Sequence, residues 1–451
     1  MNVFSILSDV LKLEKVYAIF GIIVFTGILT LSSRYVPSEG VGGGGTSPFE
    51  RPVVLLQYAT IGISLILLAL RPKSAFRVVW RDPFLWGLVL MTPISFVWSD
   101  FPSFSLKRGI STLQTTMFGV YLASRYDRKE LLDIVTWALG ITAVFSFLYT
   151  LALPGSGIEK GIHSGAWRGP LVHKNVLAQL TALISLPTCL AAIHSPPKYR
   201  KRLWAVFIIT VLLVLLTRSK TGLMVFLTLM MLVPLFKILQ SRGGIAIPVM
   251  IFAIFVVSSG TTILAENWEP FLYGLGKDPS LSGRTYLWQA SIDMIRLRPW
   301  FGYGYQAFWQ GTGAANQVWL AIRYVAPHSH NGFINISLDL GLVGLFFFVM
   351  SLLTMFVRGI ALLRIEKSPA EMWPLLYASF LLLYNQTEST IIQHNNLFWI
   401  LHVAVSLSLG YVRKLSPSEV REYRDKQAYF AAMNETPSSP SPSLNSAKFS
   451  E

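Results

Sequence analysis

Charged and aromatic side chains crowd one stretch of an otherwise apolar chain. Between Gly283 and Gly344 the sequence reads Gly-Arg-Thr-Tyr-Leu-Trp (283 to 288), Arg-Pro-Trp-Phe-Gly-Tyr-Gly-Tyr (298 to 305) and His-Ser-His-Asn-Gly (328 to 332), and then a long apolar run. It holds four arginines and two histidines. An arginine inside a bilayer costs roughly 2.5 to 3.5 kcal/mol, so cations bordering membrane spans are kept mainly where function requires them. Guanidinium groups offer forked donors to phosphate oxygens, and an imidazole, with a reference pKa of about 6.5, moves protons near neutral pH. Together they suit a water-filled pocket at a membrane surface that handles a charged, lipid-anchored substrate.

The elements that must position these groups are membrane helices. The chain has 451 residues, 53% of them hydrophobic, and apolar runs of spanning length recur along it. Alternating strand-like segments are missing, which leaves helices as the spanning form and predicts an all-α integral membrane protein. About twelve spans are expected, near 16–31, 53–70, 82–98, 109–124, 131–153, 175–194, 203–217, 221–239, 245–264, 333–357, 372–392 and 397–412. Lys and Arg concentrate in alternate short loops, at 71–81, 125–129, 198–202, 237–242 and 358–367, which the positive-inside rule assigns to the cytoplasm together with both termini. The crowded stretch then faces outward. The organisation expected is nine spans over 1–264, a large external loop over 265–332, three further spans over 333–412, and a charged, then Ser/Pro-rich, disordered cytoplasmic tail over 413–451.

Several function classes drop out. The net charge of +15 falls in the cytoplasmic loops and reads as membrane topology, not as nucleic-acid binding. Cys189, the single cysteine, excludes an intrachain disulfide framework and a thiolate cluster. The Gly-rich segment at 41–47 lacks the lysine of a phosphate-binding loop, and the Gly302-Tyr-Gly304 string follows no strand, so neither is a nucleotide site.

Other external segments carry cations in unusual settings. They are Trp98-Ser-Asp with Lys107 and Arg108 downstream; Trp167-Arg168-Gly with His173-Lys174-Asn175; and the tight turn around Arg218. Within the long loop, Ser282 can cap a helix starting near Gly283, with Leu287, Ala290, Met294 and Leu297 on one face and Arg284 in the first turn. Arg298-Pro299 ends it. Such a helix can lie on the lipid surface, with Trp288 and Trp300 as interfacial aromatics. Glu388 is expected at the outer end of a span, pairing with an arginine or positioning an acceptor. His328, His330 and His394 could ligate zinc, but no His-Glu-x-x-His spacing supports a metal, and none is expected.

His330-Asn331, followed after nine residues by Gly341-Leu-Val-Gly344, resembles the pattern of the O-antigen ligase and polymerase superfamily. Ser282-Gly-Arg-Thr-Tyr-Leu-Trp, Arg298-Pro-Trp-Phe-Gly-Tyr-Gly, Trp98-Ser-Asp and Arg218-Ser-Lys-Thr-Gly222 are similar to segments of the same superfamily. Trp167-Arg-Gly with His173-Lys-Asn175 looks more like its exopolysaccharide polymerases. The resemblance implies a GT-C-like, inverting, metal-independent glycosyltransferase of the bacterial inner membrane, acting at the periplasmic face without a cofactor. Its donor would be a glycan on undecaprenyl pyrophosphate and its acceptor a second glycan or lipid A core, with a chain-length regulator as partner of a polymerase. Carried over position by position, Arg218 and Arg284 would hold the pyrophosphate and His330 would activate the acceptor hydroxyl. Arg168, Lys174, Arg298, His328 and Glu388 would bind donor or acceptor. A protein O-glycosylating transferase differs only in its acceptor. A twelve-span transporter or flippase would show two related halves, and the long loop has no counterpart in the first half.

Overall fold

The computed structural model describes residues 3–32, 47–240, 284–311, 313–366 and 368–410, with side chains from residue 12 onward. The expected span at 245–264, the Gly-rich segment at 41–46, the Ser282 cap and the tail at 413–451 lie outside these residues.

Helices carry the described chain. In order they are α1 (Val3–Phe25), α2 (Glu50–Ala69), α3 (Pro72–Val79), α4 (Pro83–Ile94), α5 (Pro102–Arg125), α6 (Arg128–Ala152), α7 (Lys174–His194), α8 (Pro197–Leu216), α9 (Lys220–Leu239), α10 (Arg284–Leu297), α11 (Ala315–Ile322), α12 (Gly332–Ile365), α13 (Pro369–Tyr384) and α14 (Leu397–Ser408). Five of them, α2, α6, α7, α9 and α12, are long and apolar enough to cross a membrane. The protein is an all-α, multi-span membrane protein.

Local sequence sets many helix starts. Asp82 accepts from the Leu85 N–H at 3.0 Å and Pro83 occupies the first turn of α4. Asp127 and Glu130 form a reciprocal capping box on α6, satisfying amide donors that would otherwise be orphaned at a membrane boundary. Asn331 caps α12 through the Phe333 and Ile334 amides, at 3.0 and 3.2 Å. The polar face of α5 is buried against neighbouring helices: Thr112, Thr115 and Thr116 each return a hydroxyl to the carbonyl four residues earlier, so burial leaves no donor unmet.

The helices depart from the expected spans where caps or breaks, not hydropathy, decide the end. α5 begins at Pro102, seven residues before the expected 109, so Lys107 and Arg108 lie inside it and the Arg108 guanidinium sits 5.0 Å from the Phe104 ring. α13 stops at Tyr384, which leaves Glu388 in the connection to α14 and not in a span. α10 forms as its spacing predicts, with Leu287 and Met294 buried and Leu297 exposed. With Tyr303, Phe308, Ala315, Val318, Ala326 and Leu338 of α12, Leu287 and Met294 build a small apolar core for the segment between α10 and α12.

That segment is locked into a break in α12. Gly341 has φ +67° and ψ −169° within the helix, which frees backbone groups on both sides of it. Residues 299–304 fill the gap: Tyr303 N–H donates to the Leu338 carbonyl (2.8 Å) and Gly304 N–H to that of Asp339 (3.0 Å), while Leu342 N–H donates to the Pro299 carbonyl (2.7 Å) and Val343 N–H to that of Trp300 (3.2 Å). A Cβ on Gly341 would overlap the Trp300 carbonyl. The paired glycines of the motif therefore include a docking notch for the loop, beyond any helix-to-helix contact. Trp98 Nε1 donates to the Phe301 carbonyl at 2.8 Å, and the Ser105 hydroxyl to that of Tyr305 at 3.0 Å, so the Trp98-Ser-Asp segment braces the same loop.

Gly304 has φ +101° and lies directly against Ser99. Gly304→Ala should cost at least about 2 kcal/mol, from strain and overlap together, and lower the thermal unfolding midpoint of the purified protein in detergent. An unchanged midpoint would show that the loop is not docked in this way.

Candidate functional site

Three connections converge at one end of the bundle. The α8–α9 turn supplies Arg218, whose own backbone is left-handed at φ +49°. Its Nη1 donates to the Ser164 carbonyl at 3.2 Å. Ser219 caps α9 through the Gly222 amide and bonds the Asn175 carboxamide at 3.2 Å, which ties this turn to the start of α7. At that start His173 Nδ1 accepts from the Asn175 N–H at 3.2 Å and buried Glu159 accepts from the Lys174 N–H at 2.9 Å. α10 contributes Arg284 and Trp288.

The result is a cavity of about 320 Å³ lined by His163, Lys174, Asn175, Arg218, Ser219, Lys220, Thr221, Arg284, Trp288 and Thr387. Four of these side chains are basic and none is acidic. A cavity so lined fits an anion with several oxygens, since charge-assisted bonds from Lys and Arg are about twice as strong as neutral ones. Lys174, Arg218 and Arg284, expected at the site, meet here. His163, Thr387 and Trp288 join them.

His330 stands beside the cavity, held by a web of short bonds. Trp288 Nε1 donates to the Ser329 carbonyl at 2.9 Å, and the Gly332 N–H donates to the Asn385 carbonyl at 2.8 Å. The backbone of His330 is left-handed, φ +51°, a costly state for a non-glycine residue that the surrounding bonds maintain. Its Nδ1 lies 3.6 Å from one Glu388 oxygen, while Arg284 Nη2 lies 3.6 Å from the other. Both separations suit charge attraction and exceed a hydrogen bond. Arg284 Nη1 donates to the Thr387 carbonyl at 2.8 Å. Glu388 thus bridges the cavity to His330. Burial alone would raise its carboxyl, but the approach of His330 and the charge of Arg284 together hold it below the ordinary value.

His328 stacks at a tilt on His330, ring centres 4.1 Å apart, and its Nδ1 accepts the His330 N–H at 3.1 Å. Burial, then the neighbouring His330, pushes His328 down to about 4. Among the described residues, His328, His330 and Glu388 are the one trio of His, Cys or acidic donors close enough to hold an ion, their donor atoms lying within 4.8 Å of one another. Two commitments weigh against that use: Arg284 already balances Glu388, and His328 spends Nδ1 on the backbone. His394 is elsewhere, against Arg108.

Two other candidates brace loops away from the cavity lining. Arg298 pairs with Asp100 at 2.6 Å and lies 4.6 Å from the Tyr303 ring. Arg168 is buried and donates Nε to the Ser156 carbonyl at 2.9 Å. Glu159 and His163 had no signal in the sequence beyond lying near the Trp167 and His173 segments.

The fold and site define a polytopic membrane protein with an acid-free cationic cavity next to a His–Glu pair. Residues 205–349, which run from within α8 to about the middle of α12, match the family model described as O-antigen ligase. The chain is also similar to the exopolysaccharide production protein ExoQ of Rhizobium meliloti (strain 1021), 37% identical over 122 residues. That alignment spans 26% of this chain and 28% of ExoQ.

The low values of His328 and His394, both about 4, carry a stability consequence. Between about 4 and the unfolded value near 6.5 the unfolded chain holds more protons than the folded one, so stability falls as pH drops through this window. Glu388, shifted down from the carboxylate range, acts only at lower pH. The thermal midpoint should fall from pH 7.5 to pH 5.5, and His328→Asn, which keeps an acceptor for the His330 amide, should shrink that fall. Equal falls in both proteins would refute the assignment to His328.

Proposed function

We propose that this protein is a glycosyltransferase of the polysaccharide polymerase or ligase type. It transfers a glycan from undecaprenyl pyrophosphate to an acceptor glycan or lipid A core at the periplasmic face of the bacterial inner membrane. The observation that carries the reading is the acid-free cavity bearing Lys174, Arg218 and Arg284 beside the His330–Glu388 pair. The superfamily match supports the reaction class. The resemblance of the Trp167 and His173 segments to exopolysaccharide polymerases, together with the ExoQ similarity, favours polymerisation.

In the reaction the cavity cations hold the pyrophosphate. The acceptor hydroxyl oxygen attacks the anomeric carbon as the carbon–oxygen bond to the pyrophosphate breaks, and that electron pair leaves on the pyrophosphate. Inversion follows from the single displacement. Developing charge on the leaving group meets fixed guanidinium donors, the usual dominant contribution to such catalysis. His330 takes the hydroxyl proton, and Glu388 accepts from the opposite ring nitrogen, fixing the tautomer and stabilising the imidazolium. The 3.6 Å separation between them need close by only a few tenths of an ångström when substrate enters. The same reading takes the membrane part as a GT-C-like bundle of about twelve spans with 265–332 as its periplasmic loop, the basic loops and termini lying inside.

Glu388→Gln keeps the shape and removes the charge, and is expected to lower kcat roughly a hundredfold or more with little change in KM. Arg284→Lys, which keeps charge and loses the fork, should cost at least roughly tenfold. His330→Ala should abolish transfer with the helical content intact. These are measured by glycan transfer from a polyprenyl-pyrophosphate donor to acceptor in detergent, and wild-type rates in His330→Ala would end the proposal.

In cells, a deletion strain complemented with wild type or with His330→Ala separates the outcomes. Short repeat units left on polyprenyl pyrophosphate would mean polymerase, and long polymer stranded there would mean ligase. Unchanged glycans in the deletion would overturn both.

A further inference from the structure

A second cavity, about 430 Å³, opens at the other end of α12, α13 and α14, remote from His330. Basic side chains from three elements face it: Arg77 of α3, Arg81 before α4, and Arg125, Arg128 and Lys129 around the α5–α6 turn. Two of these are already matched. Arg125 pairs with Glu14 at 2.9 Å, and Arg128 with Glu371 at 2.8 Å and Glu366 at 3.2 Å. Asp127, the remaining acid of the lining, is occupied as the cap of α6. Among the described residues no carboxylate pairs with Arg77, Arg81 or Lys129.

Arg81 is the most committed of the three. One of its N–H groups donates to the Leu407 carbonyl at 2.8 Å, and Arg358 donates to its carbonyl. Burial, then the fields of Arg77, Arg128 and Arg358, pull its guanidinium below the ordinary value. The cavity therefore carries positive charge that its own acids do not balance.

Next to Arg77 and Arg81 in the chain stand two exposed aromatics. Phe76 and Trp80, one turn apart, are 67% and 64% exposed and meet edge to face at 5.9 Å. Arg77 and Arg81 follow them directly in sequence, so α3 and the turn after it present an aromatic pair beside a cationic one. Exposed aromatics of this kind sit at the level of lipid headgroups. A soluble anion would have no use for them, whereas an amphiphile would use both pairs.

We propose that this cavity seats the phosphate of an anionic phospholipid, with Arg77, Arg81 and Lys129 on the headgroup and Phe76 and Trp80 against the upper acyl chains. The site is separate from the transfer reaction and stands whether or not that reaction is the one proposed above.

The test uses the full-length protein in nanodiscs of phosphatidylcholine with and without phosphatidylglycerol. Retained lipid is read by native mass spectrometry and stability by thermal midpoint. Wild type is expected to retain phosphatidylglycerol selectively and to melt higher in its presence. In Arg77→Gln/Lys129→Gln, phosphatidylglycerol binding should be roughly thirtyfold weaker, since each basic residue facing an anionic surface is worth roughly a factor of five. The midpoint in pure phosphatidylcholine, which checks folding, and glycan transfer there should match wild type. If the double variant misfolds, the single variants Arg77→Gln and Lys129→Gln should each show a partial loss. Equal retention of phosphatidylglycerol by wild type and a folded variant would overturn the proposal. So would millimolar inorganic phosphate raising the wild-type midpoint in phosphatidylcholine as far as phosphatidylglycerol does, because the ligand would then be a soluble anion.

Discussion

A broken helix inside a membrane protein must have its backbone repaired, and here the repair builds the site. Each unsatisfied amide or carbonyl in hydrocarbon costs several kcal/mol, and the left-handed Gly341 interrupts α12 in its buried half. Residues 299–304 return two donors and two acceptors to the interrupted ladder. A loop thereby becomes part of a long apolar helix, as fixed as the helix itself. Everything on that loop inherits its position, including α10 with Arg284 and Trp288.

The constraint runs on to the first turn of α12. Trp288 reaches the Ser329 carbonyl, Asn331 caps the helix, and the Gly332 amide bonds the loop that carries Glu388. Tyr305, anchored by the inserted strand of residues, donates to the Ile392 carbonyl at 2.6 Å, further along the same loop. His330 and Glu388 thus hang from two segments that are both fastened to the repaired break. Arg218 and His330 hold positive φ values, which only such over-determined surroundings can sustain.

Much of this was visible in the sequence, and what was hidden has a common cause. Arg218, Lys174 and Arg284 could be picked out because cations next to apolar runs are costly, and the cavity gathers all three. The helix at 284–297 followed from its apolar spacing and Arg298-Pro299 stop. Glu388 was marked, but its partnership with His330 spans 58 positions of chain, and no local pattern encodes such a contact. The same holds for Arg298 with Asp100 and for Arg168 within its loop, where cations of equal promise brace the backbone. Helix ends were misjudged where hydropathy continued past the true stop, as beyond Tyr384, because the capping bonds that end a helix depend on partners elsewhere.

The placement of Glu388 completes the electrostatic logic of the proposed reaction. A carboxylate lining the cavity would cancel a cation where phosphate oxygens need it. The second cavity shows that outcome, its Arg128 consumed by Glu366 and Glu371. Glu388 instead lies behind Arg284, with one oxygen toward the guanidinium and the other toward His330. The cavity lining keeps four basic side chains and no acid, while Glu388 lies 3.6 Å from both the Arg284 guanidinium and the His330 ring. A leaving pyrophosphate gains negative charge as an imidazole gains a proton, and one carboxylate so placed, with the cations in front of it, favours both.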